Sequence, residues 1–194
     1  MSRMLDAGEE LFLEGGSSQL KLNLILEKSG SSTGSFYARF GDMQGYHDAL
    51  HHRTLDRVEE ALGEVIKKAA GQASLLETLD IYTDEFLKVL RRFKGTLYFF
   101  AVGNAQLEFR QSRGTQFTLA SLSALANLIR PFLLNPSNPE AVRRLDMLTR
   151  FLAAMGFQQI MFEQEEISTL KLTDKELARE WAAALNDSIA AFVK

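Results

Sequence analysis

The chain has 194 residues, a net charge of −3 and a pI near 5.7, with 46% hydrophobic and 24% charged residues. These are the values of an ordinary globular protein and weigh mildly against a nucleic-acid partner. Without cysteine, disulfides and thiolate metal sites are excluded, and the longest apolar run, residues 97–102, is far too short to span a bilayer. The N-terminus lacks a basic-then-apolar secretory pattern, so the expected location is the cytoplasm.

In chain order, Met4, Gly8, Leu11 and Phe12 form the inner stripe of a first helix, ended by a Gly15-Gly16-Ser17-Ser18 turn. Leu22, Ile25 and Leu26 recur at i, i+3 and i+4 in a second, short helix that stops at Gly30. Ser31 or Ser32 caps a third, in which Phe36 and Phe40, four apart, face inward. That leaves Thr33, Ser35, Ala38 and Arg39 pointing outward with Tyr37 at the side, a small and polar face suited to a DNA major groove. A long helix follows over residues 43–70. Another spans 74–93 and ends in Arg91-Arg92-Phe93-Lys94 before Gly95, as cations near a helix C-terminus do. Residues 96–104 read as a separate buried apolar segment, and 105–134 as a helix broken near Gly114. Asn138-Pro139 starts a helix to residue 165, and Thr173-Asp174-Lys175-Glu176 has the form of a capping box opening the last one. The count is about nine helices and no strand.

The stretch SGSSTGSFYARFGDMQGY resembles the recognition-helix signature of the tetracycline-repressor (TetR) family, through the Gly30 turn, Gly34-Ser35, Phe36-Tyr37 and Phe40. Upstream, MLDAGEELFLEGG is similar to that family's first helix, with Phe12 and Gly16 in place. The resemblance covers residues 4–46. It implies an all-α chain with a three-helix helix-turn-helix domain at 1–46 and a helical regulatory and dimerisation domain at 47–194. It also implies DNA contacts from Lys21 and Asn23 on the second helix and from Thr33, Gly34, Ser35, Tyr37, Ala38 and Arg39 on the third. Tyr37 would bond a phosphate, and Arg39 a phosphate or a guanine edge. Three positions depart from the pattern. Met43 replaces a lysine, Arg3 alone remains of a basic arm, and Leu26 replaces a small residue. Residues 1–46 hold four cations, Arg3, Lys21, Lys28 and Arg39, against six acids, Asp6, Glu9, Glu10, Glu14, Glu27 and Asp42, a net −2. Phosphate contacts normally demand a positive surplus.

The resemblance further implies a small-molecule pocket in the C-terminal bundle. The aromatic-rich stretch from 82 to 117 offers Tyr82, Phe86, Phe99, Phe100 and Phe109, with Asn104, Gln106 and Glu108 as polar groups; the same rings also suit plain core packing. The 139–165 helix carries two apolar stripes, one through Leu145, Leu148, Leu152 and Met155, the other through Met147, Phe151 and Ala154. An element apolar on two faces needs two partners. With Trp181, Leu185 and Ile189 of the last helix, the first stripe is assigned to a homodimer contact.

His47 and His51 share a helical face but lack a third ligand, and read as exposed residues rather than a metal site. No nucleophile–base signature, phosphate loop or H-E-x-x-H occurs, so no enzyme, catalytic residue or cofactor is expected. The reading is a homodimeric, ligand-responsive transcriptional regulator, a repressor, bound to a double-stranded operator and released by a small apolar ligand. The alternative is a helical ligand-binding dimer that has lost DNA affinity.

Overall fold

A computed structural model of the chain describes residues 2–102, 107–162 and 169–194. Among the described residues it has eight α-helices and no strand. They are α1 (Ser2–Gly15), α2 (Leu22–Ser29), α3 (Thr33–Phe40), α4 (Met43–Ala69), α5 (Leu75–Val102), α6 (Leu107–Ile129), α7 (Pro139–Met161) and α8 (Asp174–Ile189). The all-α expectation holds. None of these helices is long and apolar enough to cross a membrane.

Helix ends follow the local signals. Gly30 takes φ 61°, and its N–H donates to Glu27 O at 3.3 Å while Ser31 N–H donates to Leu26 O at 3.1 Å. This pair of bonds closes α2 in a left-handed turn that a side chain would strain. Ser32 is the cap of α3, its Oγ accepting from Ser35 N–H at 3.2 Å. Asn138 Oδ1 accepts from Glu140 N–H at 2.9 Å ahead of Pro139. The capping box is complete, with Glu176 N–H donating to Thr173 Oγ1 at 3.2 Å and Thr173 N–H to Glu176 Oε2 at 2.7 Å.

Two glycines read as breaks are not breaks. α5 runs unbroken through Gly95, and α6 through Gly114. One glycine inside a helix costs only about 1 kcal/mol, which packing overrides. At Gly95 the reason is visible, because a Cβ would lie 3.1 Å from the Phe12 ring. The glycine is there for close approach of α1. The basic Arg91–Lys94 run therefore lies within a helix and not at its C-terminus. Its cations serve packing: Arg91 bonds both oxygens of Asp174 and, at 3.1 Å, Gln159 Oε1, while Lys94 donates to Phe162 O at 3.0 Å.

The chain divides into two compact units, residues 1–57 with 95–113, and residues 58–94 with 114–194. The first contains the expected 1–46 segment and extends past it. Its core holds Met4, Leu11, Ile25, Phe36, Tyr46, Leu50 and Phe100. Gly8 lets α1 lie directly on Tyr46, whose hydroxyl donates to Met4 O at 2.8 Å; a Cβ at Gly8 would overlap that hydroxyl. The histidines are not exposed as expected. His51 is buried with its ring 4.6 Å from Phe100, and His47 is half-buried edge-on to Phe99 at 5.7 Å. This face of α4 is covered by the end of α5.

In the second unit α7 packs on α8, burying Leu145, Leu148 and Leu152 against Ala178, Trp181, Leu185 and Ile189. Thr83 Oγ1 donates to Ala178 O at 2.8 Å and ties α5 to α8.

Candidate nucleic-acid interface

Two aromatic residues hold α3 in place. Phe36 is fully buried, 5.2 Å from the Phe40 ring and 5.4 Å from Tyr46, and Phe40 meets Tyr46 edge-on at 5.0 Å. Such tilted and edge-on pairs add to the stabilisation from burial alone. With that side of α3 committed inward, its remaining residues face water. Thr33, Gly34, Ser35, Tyr37, Ala38 and Arg39 are all exposed, as are Lys21 and Asn23 at the start of α2. The Tyr37 ring rests edge-on against Phe36 at 5.6 Å, which steadies an otherwise exposed phenol.

The charge balance of the segment changes once partners are assigned. Lys28 Nζ lies 2.6 Å from Glu14 and 3.3 Å from Glu10, and these carboxylates raise its pKa, the Glu14 hydrogen bond most. Asp6 and Glu9 pair with Arg53, and Glu9 also with Arg57 at 2.6 Å, so α4 supplies two cations outside the first 46 residues. Burial nevertheless raises the Glu9 pKa against the pull of both arginines. Asp42 Oδ1 accepts from Gly45 N–H at 2.8 Å and starts α4. Among the described residues, Arg3, Lys21 and Arg39 carry no ion pair. The negative surplus is thus largely taken up in packing α1 on α2 and α4, and two cations remain on the α2–α3 surface.

No sequence-family model matches the chain, and no curated protein does. Solved structures do. A TetR-family transcriptional regulator from Mesorhizobium loti superposes with a TM-score of 0.76 at 14% identity, over 100% of this chain and 96% of that one. The chain has the TetR-family fold. A TetR-family regulator from Streptomyces coelicolor matches at 0.60 and 21% identity over 99% and 98% of the two chains, and the fatty acid degradation regulator FadR from Bacillus halodurans at 0.62 and 14% over 95% and 96%.

Within this TetR fold the other expected sites distribute differently. The rings assigned to one pocket are divided between the two units. Phe100 is part of the core of the first unit and Phe99 packs against it, 5.7 Å from Phe12. Phe86 is buried in the second unit, where it meets the backbone of α7 at Gly156. Tyr82 lines a cleft of about 310 Å³ among α4, α5 and α6 whose walls include Leu62, Gly63, Ile66, Ser121 and Ala124. The spacing of the aromatics along the chain could not reveal this, because the rest of the cleft wall comes from α4 and from small residues of α6. Asn104 and Gln106, and the Glu108 and Phe109 side chains, lie outside the described residues.

The residues assigned to a subunit contact are also placed otherwise. Leu145, Leu148, Leu152, Trp181, Leu185 and Ile189 are buried by the chain's own α7 and α8, and Met155 is half-buried. Having spent their apolar area inside one chain, they have little left to offer a second. The other stripe is the open one: Met147 is 48% and Phe151 58% exposed, with Ala154 beside them, and α8 exposes Ala183 and Ala184.

Proposed function

We propose that the chain is a DNA-binding transcriptional regulator that acts as a homodimer and answers to a small apolar ligand. The observation that carries the reading is the α3 surface, polar and exposed from Thr33 to Arg39 while Phe36 and Phe40 anchor its back, with Lys21 and Arg39 free of ion pairs among the described residues. Arg39 reaches a phosphate or the O6/N7 edge of a guanine, and Tyr37 and Lys21 bond phosphates. The names of the TetR-fold neighbours, transcriptional regulators, support the same reading. Two chains joined through Met147, Phe151 and Ala154 would present two such helices to half-sites about 34–36 Å apart. A ligand in the second unit would act by shifting the population between two arrangements of the helices, with α4 as the connecting element.

The retained excess of acids in residues 1–46 favours the second reading, a ligand-binding dimer without DNA affinity. Selection of genomic fragments at low salt separates the two. A regulator recovers a preferred sequence, and Arg39→Ala costs about 1–3 kcal/mol at one base pair while relaxing the preference there. Recovery of no preferred sequence, with Arg39→Ala silent, removes the DNA reading.

A further inference from the structure

The exposed face of α3 is uneven. At about 100° per residue, Ala38 stands opposite the line midway between the inward Phe36 and Phe40, with Gly34 and Ser35 beside it and the longer Tyr37 and Arg39 farther round on either side. Ser35 is engaged within the chain, its N–H donating to Ser32 Oγ at 3.2 Å and its Oγ accepting from the Ser32 hydroxyl at 3.1 Å. Gly34 is helical, and a Cβ there would meet open space. By contrast, Gly8 and Gly95 make room for the Tyr46 hydroxyl and the Phe12 ring. Gly34 gives up helix propensity, and no neighbour in its own chain requires it. Charge points the same way. Lys21 and Arg39 are the cations of the α2–α3 surface clear of ion pairs among the described residues, so phosphate attraction is small and affinity depends on close fit.

We propose that Ala38 is a base-reading residue of this surface, and that what it reads is the C5-methyl group of a thymine in the major groove. The proposal rests on the DNA-binding reading above and names base chemistry that the reading leaves open. A major groove about 12 Å wide barely admits a helix about 10–12 Å across, so a face without long side chains in its middle lets α3 sit deeper. At that depth the group presented to the base edges is the Ala38 methyl. It neither donates nor accepts a hydrogen bond, and any base donor or acceptor it covered would lose water without gaining a partner. The apolar group that base pairs show in the major groove is the thymine methyl, and alanine is among the side chains that pack on it. Tyr37 and Arg39 reach past this contact on either side.

The test starts from the sequence that the low-salt selection recovers. Each thymine of a half-site is replaced in turn by deoxyuridine, which keeps every hydrogen-bonding group of the base and lacks the methyl. At one position, the same in both half-sites, binding of the full chain should weaken about fourfold, as the loss of one buried methyl group does. Ala38→Asn trades the methyl for an amide suited to adenine. It should make deoxyuridine silent at that position, and a repeated selection should return adenine there. Thr33→Ser removes the other methyl exposed on α3 and should leave the deoxyuridine effect in place. Gly34→Leu should hold the helix off the bases and weaken binding to every sequence about tenfold, while a thermal melt reports a protein at least as stable. Deoxyuridine silent at every thymine, its effect lost in Thr33→Ser or kept in Ala38→Asn, or Gly34→Leu binding like the parent protein overturns the proposal and leaves the DNA reading standing. Recovery of no preferred sequence overturns both.

Discussion

At the residue scale, Gly8 decides how closely α1 can lie on α4, because the Tyr46 hydroxyl occupies the place a Cβ would take. Gly8→Ala should destabilise by about 1–3 kcal/mol through overpacking, and Tyr46→Phe by about 0.5–1.5 kcal/mol through the lost bond to Met4 O. In the double variant the smaller ring relieves the clash, so urea denaturation should show less than the sum of the two. Additive costs would mean that Gly8 and Tyr46 do not share this contact. Lys28 makes a second residue-scale case. Its ammonium is held by Glu14 and Glu10, so Lys28→Ala should leave DNA affinity nearly unchanged where Lys21→Ala lowers it for every sequence. Equal losses in a salt-matched shift assay would show that Lys28 leaves its carboxylates to meet phosphate.

At the element scale, α8 depends on its first turn. Thr173→Ala removes an N-cap hydroxyl and should cost about 1 kcal/mol, read from the shift of the urea midpoint. Bonds from the Thr173 backbone and side chain hold the Glu176 carboxyl below the usual 4.5, and Lys68 and then Lys88 do the same for Glu85. Both groups are acids with depressed folded values. The stability they confer is therefore complete above the ordinary carboxylate value and is lost as pH falls through the lower folded ones. Urea midpoints should fall on acidification below about pH 4.5 and less so in Glu85→Gln, whose ion pairs are already gone. An identical pH dependence in that variant would remove Glu85 from the account.

At the scale of the whole molecule, assembly turns on which stripe of α7 remains open. Sizing with light scattering should report about twice the 21.8 kDa chain mass. Phe151→Glu with Met147→Glu should give a folded monomer, because two exposed apolar side chains at the contact become charged. Leu148→Glu should instead unfold the chain, since Leu148 is buried between the chain's own helices. A dimer that survives both exposed charges would place the contact elsewhere.

Much of the architecture was legible in the residues alone. The Gly30 turn, the Ser32, Asn138 and Thr173 caps and the inward Phe36–Phe40 pair are determined within a few residues of chain, by backbone sterics and side-chain bonds to free N–H groups. Periodicity likewise predicted that α7 is apolar on two sides. Which side meets its own core was decided only in three dimensions, because both stripes obey the same helical spacing and the choice depends on where α8 packs. The same limit explains Gly95, where a signal that locally ends helices is overridden by the Phe12 ring of a distant segment. It explains the cleft of the second unit too, whose wall brings together Tyr82, Ser121 and Gly63 from three helices. Local chemistry acts over one or two turns of chain, whereas cavities, free faces and ion-pair partners arise from segments that only folding brings together.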